Sequence, residues 1–337
     1  VLFHSSIPAR RFALLLATAC LLVVIDLIAL KSGAVAVSWR EFFSLLFQSA
    51  DADAFQRSIV FQLRMPRLVF AMIVGAALAV SGTAMQALFR NPLAEPGLIG
   101  LSAGAALGAV LVLMLGFGSL IITGLAGFLG ALLATLIAYI LGRKYPGAAG
   151  LLLAGIAINA SAMSLVSLMI TFASDAQLRS FVFWSMGSLT RANWTSVMLL
   201  LPWTVFWSTI ICLRWRVLNA LLLGEREAHH LGFDLKRTRK TMILSVAMLV
   251  GPLVAVTGGV AFVGLIVPHM LRMRVGADHR LLLPLSCLVG AITLVLADWL
   301  ARVVIVPAEL PVGVITSLVG GPFFLWLLTR NPRVSQA

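Results

Sequence analysis

The sequence predicts an all-α polytopic membrane protein with about ten transmembrane helices, folded as a single domain over residues 1–337. Three observations carry this. Hydrophobic residues make up 61% of the chain and charged residues only 11%, against roughly a quarter charged in soluble domains. The apolar residues come in runs close to the ~20 that a helix needs to cross a bilayer. Proline, glycine and cations gather between those runs, where a helix in lipid has to end.

In chain order the runs cover approximately residues 12–30, 66–89, 97–116, 119–141, 148–172, 195–213, 240–257, 258–274, 282–306 and 311–329. The first is too long for a signal segment, so it is expected to be a retained span. The loop at about 31–63 carries Trp39–Phe47, amphipathic at helical spacing, which suits a helix lying along the membrane surface. Arg64-Met65-Pro66-Arg67 opens the second run, and Arg90-Asn91-Pro92-Leu93-Ala94-Glu95-Pro96 closes it. Both prolines in that turn lack an N–H and push Asn91 and Glu95 out of the α region, so a stiff-tipped hairpin is expected. The fifth run sets Gly155, Asn159 and several serines at membrane depth, where their polar atoms must face protein or water. Runs seven and eight are barely separated by Gly258-Gly259, and one re-entrant unit is the alternative there.

An even number of runs puts both termini on one side. Roughly two thirds of the 25 Lys and Arg fall on that side, together with the Asn91-Pro92 turn and the 214–240 loop. The positive-inside rule makes it cytoplasmic and places Arg64, Arg67 and the loops at about 31–63 and 174–194 outside. The net charge of +13 is therefore a topology signal and not a nucleic-acid surface. Trp184 and Trp194 in the second outer loop read as interfacial anchors.

The inner segment 223–240 contains Glu225-Arg226-Glu227-Ala228-His229-His230-Leu231 before Gly232 and Phe233. This is a short helix, acidic where the dipole favours carboxylates, with a glycine stop. Its charge and its apolar Leu231 and Phe233 suit docking to a soluble partner. His229 and His230 are adjacent and point about 100° apart on a helix, so they do not share a metal; no protein-bound metal is expected. Cys20, Cys212 and Cys287 read as small buried hydrophobes. Asp298 and Arg302 are four apart on one helical face near an outer end, and Asp26 stands in the first span without an evident partner. Motifs for nucleophilic, phosphate-binding or zinc chemistry do not occur, so no catalytic residue is assigned.

Arg64-Met65-Pro66-Arg67, Ser81-Gly82…Gln86…Arg90-Asn91-Pro92-Leu93-Ala94-Glu95-Pro96, Leu223-Gly224-Glu225…Leu231-Gly232, Phe262-Val263-Gly264-Leu265-Ile266-Val267-Pro268-His269, Asp298…Arg302 and Glu309-Leu310-Pro311-Val312-Gly313 occur in one order. This set resembles the permease subunit of bacterial ABC importers for iron-siderophores, haem and vitamin B12. The resemblance implies the type II permease fold in a bacterial inner membrane and a homodimer with the path on its axis. It also implies a cytoplasmic ATPase dimer below and a periplasmic substrate-binding protein above. By the same resemblance Arg64, Arg67 and Arg302 dock the binding protein, and the segment from Glu225 through Phe233 couples to the ATPase. Asn91 and Leu93 form a cytoplasmic gate, Gly147 and Ala148 map near a second one, and Ser174 maps near the outer constriction. Gly155, Asn159 and Arg179 are candidates for the path. The stretch Asp175–Leu189 is most similar to the haem branch, which makes haem the expected cargo, not a cofactor, with ferric siderophore and cobalamin as alternatives. From another class, an ion-coupled secondary carrier needs no ATPase, and a receptor or structural role needs no transport.

Overall fold

The computed structural model describes residues 9–33, 35, 38–46, 54–117, 119–145 and 149–330, and no β-strand occurs among them. The chain runs through α1 (Ala9–Lys31), α2 (Trp39–Leu46), α3 (Ala54–Ser58) and α4 (Met65–Leu88), then α5 (Leu101–Met114), α6 (Leu120–Gly142) and α7 (Ala149–Thr171). It continues through α8 (Asp175–Ser185), α9 (Trp194–Leu213), α10 (Trp215–Leu223), α11 (Glu225–His230) and α12 (Leu235–Thr257). The last helices are α13 (Val263–Val275), α14 (His279–Val303) and α15 (Val312–Arg330). Every one of the ten apolar runs falls on a helix. Seven helices among the described residues are long and apolar enough to cross a membrane, while α5 and the apolar part of α15 are shorter.

Almost every residue of α4 from Phe70 onward is buried, because α14, α13, α9 and α12 surround it. Small side chains make this possible. A Cβ on Gly75 would strike the carbonyl of Gly290 in α14, and one on Gly290 would strike the carbonyl of Gly75; Gly82 meets the backbone of Gly264 in α13 in the same way. Helices in lipid gain by such close approach, since lipid offers no hydrophobic drive to hold them together. α5 and α6 repeat the device through Gly104 and Gly130. By contrast α1 buries only Leu22, Ala29 and Leu30.

The loop expected at 31–63 is helical over its final residues. A π-helix over Ile59–Arg64 joins α3 to α4, so helix continues from Ala54 to Leu88. The wider turn accommodates Pro66, which would otherwise collide with the carbonyl four residues back. The stretch after Ser174 is likewise α8, opened by a capping box between Ser174 and Gln177. Lys236, Arg237, Arg239 and Lys240 lie in the first turns of α12 instead of ahead of it, after the Asp234 side chain accepts from the Arg237 N–H at 3.0 Å. Run eight is helical only from Val263. Cys20 is exposed, not buried. The indole N–H groups of Trp184 and Trp194 are turned inward, donating to the carbonyls of Ala255 at 3.1 Å and Phe61 at 2.8 Å.

Candidate functional site

A cavity of about 950 Å³ lies between the Glu95–Leu98 turn, α5, α7, α8 and α15. At one end α4 stops at Phe89, and Arg90 takes a left-handed φ of 51°. The Asn91 side-chain oxygen then accepts the Leu93 N–H at 2.9 Å, and the Asn91 carbonyl accepts the Ala94 N–H at 3.1 Å. These bonds make the turn as stiff as its prolines require. Gln86 anchors it from within, donating to the Leu265 carbonyl at 3.0 Å. Pro92 and Leu93 close against His269, Phe323 and Phe324, leaving a crevice of about 10 Å³. Leu93 thus meets α13 and α15 at a near-sealed point, and Asn91 holds the turn that carries it.

Beyond that point Glu95 is extended and half-buried, and its carboxyl is the one titratable group among the described walls of the cavity. Burial pushes it above the usual carboxylate range. Asn159 also lines the cavity and donates to the Gly97 carbonyl at 2.9 Å. Gly155 sits where its helix touches the carbonyl of Leu98, so its role is close approach to the 3₁₀ turn at Pro96–Ile99. Arg179 is exposed on α8 outside the cavity walls, and Ser174 is exposed as that helix's cap. Gly147 and Ala148 lie outside the described residues. Sequence reasoning missed Phe181 and Trp184, which stack at 6.0 Å on the cavity side of α8, and Phe262, held at a φ of 67°. The i, i+3 spacing of the two aromatics was the available signal.

At the far end of α4, Arg67 and Arg302 come together around Asp298, and Arg64 turns to the end of α1 beside them. Arg67 Nε donates to Asp298 Oδ1 at 2.8 Å and its Nη1 to Glu309 at 2.7 Å. Arg302 Nε lies 3.1 Å from Asp298 Oδ2. Asp298 is 2% exposed, and Arg64 and Arg302 are 8% exposed. Arg64 donates to the carbonyls of Leu30 and Lys31, each at 2.9 Å, and to that of Val35; Arg302 donates to those of Ala29 and Ser32 at 3.3 Å. A helix C-terminus leaves its last carbonyls without partners and carries partial negative charge, so two guanidiniums are suited to close α1 there. The opposite end of α1 is held by Arg11, 2.8 Å from Asp278. Burial alone would raise the Asp278 carboxyl, but hydrogen bonds from Asn219, the Arg280 N–H and Arg11 hold it below the usual range.

On the side of the Asp278 cluster, α11 projects as a six-residue helix. The Gly232 N–H bonds the His229 carbonyl at 2.9 Å and the Phe233 N–H the Ala228 carbonyl at 3.2 Å, a Schellman stop made possible by the Gly232 φ of 88°. Buried Ala228 and a Glu225–Arg239 ion pair fix the helix to the body. Arg226, Glu227, His229, Leu231 and Gly232 are exposed, with Phe233 half-buried. The helix α10 preceding it was not foreseen.

Residues 21–330 match the profile of the FecCD transport family. The chain is 45% identical over 321 residues to the hemin transport system permease protein of Yersinia pestis, covering 92% of this chain and 93% of that one. It is 43% identical over 285 residues to the vitamin B12 import system permease protein of Vibrio cholerae, covering 83% and 85%. Its fold is similar to that of a metal-chelate type ABC transporter in an inward-facing conformation, with a TM-score of 0.86 and 34% identity over 95% of this chain and 99% of that one. With nearly its full length matched in both sequence and helix arrangement, the chain belongs to the FecCD transport family and has the all-helical fold of an ABC permease.

Proposed function

We propose that this permease moves haem from periplasm to cytoplasm along the interface between two copies of itself, in a bacterial inner membrane with both termini cytoplasmic. As a transport permease it is not an enzyme, and a separate cytoplasmic ATPase dimer supplies the energy. A periplasmic binding protein delivers the cargo.

The observation that carries the haem reading is the cavity, whose described walls are apolar apart from Glu95, Asn159 and three serines. Such a lining suits a flat, mostly hydrophobic macrocycle better than a hydrophilic ferric siderophore or a bulky cobalamin. The identity to a hemin permease supports the same choice. A cargo panel tests it: with cognate ATPase and binding protein in liposomes, ATP-dependent uptake of haem is expected, and preferential uptake of cobalamin or a ferric siderophore would overturn the cargo. Uptake driven by an ion gradient without any ATPase would overturn the importer itself in favour of a secondary carrier.

Roles within this reading follow the family resemblance. Asn91 and Leu93 serve as the inner gate, Ser174 stands at the outer constriction, and Asn159 faces the path. Gly147 and Ala148 remain assigned to a second gate. Arg64, Arg67 and Arg302 serve as the docking set, and their burial adds a condition: a partner's carboxylates compete with Asp298, Glu309 and the α1 carbonyls. The α11 segment couples the bundle to the ATPase. Replacing fully buried Ala228 by Asp is expected to cost on the order of 3 kcal/mol locally and to detach α11 from the body. Hydrolysis by the assembled complex should then continue while haem uptake collapses; normal coupled uptake would remove the role.

A further inference from the structure

A second cleft, about 390 Å³, lies at the junction of α9 and α10, away from the cargo cavity and touching the roles above only through Gly232 and Phe233 at the end of the coupling segment. Arg214, Arg216 and Arg237 converge on it, with Leu213, Val217 and Phe233 as apolar walls. The only carboxylate there, Asp234, is engaged in capping α12. Among the described residues none of the three guanidiniums makes an ion pair, and Arg216 rests 5.3 Å from the Trp215 ring centroid. Three exposed cations around one concavity repel one another unless an anion is present, at a cost that falls when one binds.

The position of the cleft identifies the anion. The 20-residue span α9 ends at Leu213, which is 72% exposed, and Val205 and Phe206 on the same helix are also largely exposed. Hydrocarbon therefore borders α9 down to the lip of the cleft, where the headgroup layer begins, and Trp215 is the residue type that favours that layer. A ligand fitting both features carries a phosphate and an apolar tail. We propose that this cleft binds the phosphate headgroup of an anionic phospholipid, with its acyl chains lying along the exposed face of α9. Basic pockets at helix ends recognise such headgroups by charge and hydrogen bonding. Because Phe233 and Gly232 form part of the wall, the bound lipid also braces the segment that follows α11. The proposal rests on the membrane reading alone, so its failure leaves the cargo and coupling assignments untouched.

The test is native mass spectrometry of the purified full chain, titrated in detergent with phosphatidylglycerol or phosphatidylcholine. Wild type is expected to retain phosphatidylglycerol preferentially, and the R214Q/R216Q/R237Q variant to lose that preference by about tenfold or more, given the share each cation contributes. The R214K/R216K/R237K variant keeps most of it, which separates lost charge from lost fold, and R274Q, at an exposed cation outside the cleft, keeps all of it. Equal retention of both lipids by wild type, or unchanged phosphatidylglycerol binding by the glutamine variant, overturns the site. Displacement of the lipid by millimolar inorganic phosphate makes it a free-anion site and overturns the lipid assignment. Loss of the co-purified ATPase with lipid binding intact makes it a protein contact and overturns that assignment too.

Discussion

Valine at position 75 is expected to abolish the folded permease. At the crossing of α4 and α14, Gly75 and Gly290 each present a bare Cα to the other's carbonyl, and even a single Cβ on either overlaps backbone. Backbone cannot rotate away as a side chain can, so the helices must separate along a seam that buries Ala79 and Leu294 as well. Overpacking of this kind costs about 3 kcal/mol or more, a large share of a marginal stability of roughly 5–15 kcal/mol. Thermal unfolding of the detergent-solubilised protein is the measurement, and Gly75→Val should give aggregated or early-melting material. Gly321 supplies the control: its added Cβ would meet nothing within 4 Å, so Gly321→Ala should be neutral or slightly stabilising. A Gly75→Val protein that melts with the wild type would mean that α4 and α14 do not cross at this pair of glycines.

Removing the carboxylate of Asp298 is the second large effect. That side chain pairs with both Arg67 and Arg302 and is 2% exposed, while Arg302 is 8% exposed. Asp298→Asn leaves two guanidiniums facing one another at 12% and 8% exposure, and breaking a buried pair this way costs about 3–5 kcal/mol. Glu309→Gln touches the same Arg67 from a site that is 40% exposed, so its cost should stay within about 1 kcal/mol. Unfolding of the two variants in parallel gives the comparison. Equal effects would mean that the group is wet and that burial does not govern its energy. The two variants also divide structure from the proposed docking role: a docking defect in Glu309→Gln without loss of stability would favour a recognition role for this rim.

The positions of the helices were legible because length and apolarity in lipid leave few choices, and every run has a helix under it. The Gly232 stop and the Asn91-Pro92 turn were legible too, since each depends on backbone rules that a few consecutive residues state in full. The start of the second span was not. Arg64-Met65-Pro66-Arg67 looks like the beginning of a helix, and only a widened turn at Ile59–Arg64 lets the helix pass through it. The arginines show the limit most clearly. Their placement near a helix end followed from charge, but their partners lie 34 residues away for Arg64 and 231 for Arg67, and no local pattern encodes which carbonyl a guanidinium will find. The carbonyls that Trp184 and Trp194 bond were not legible for the same reason, because an amphipathic ring that hydrogen-bonds inward has the same sequence neighbourhood as one that bonds headgroups. Within the candidate site, the Asn91–Leu93 turn and Asn159 were visible in advance, whereas the aromatic wall of Phe181, Trp184 and Phe262 required the fold.

The fastening of α1 has a mechanical consequence. Polar bonds secure this helix at its two extremities, through Arg11 at one and through Arg64 and Arg302 at the other, while between them it leans on α14 with few buried side chains. A rod riveted at both tips and merely greased along its length transmits a pull far better than a push. Any tilt of α14 during the transport cycle would therefore drag the first helix through its rivets, and lateral pressure from the surrounding lipid would bow it at mid-membrane.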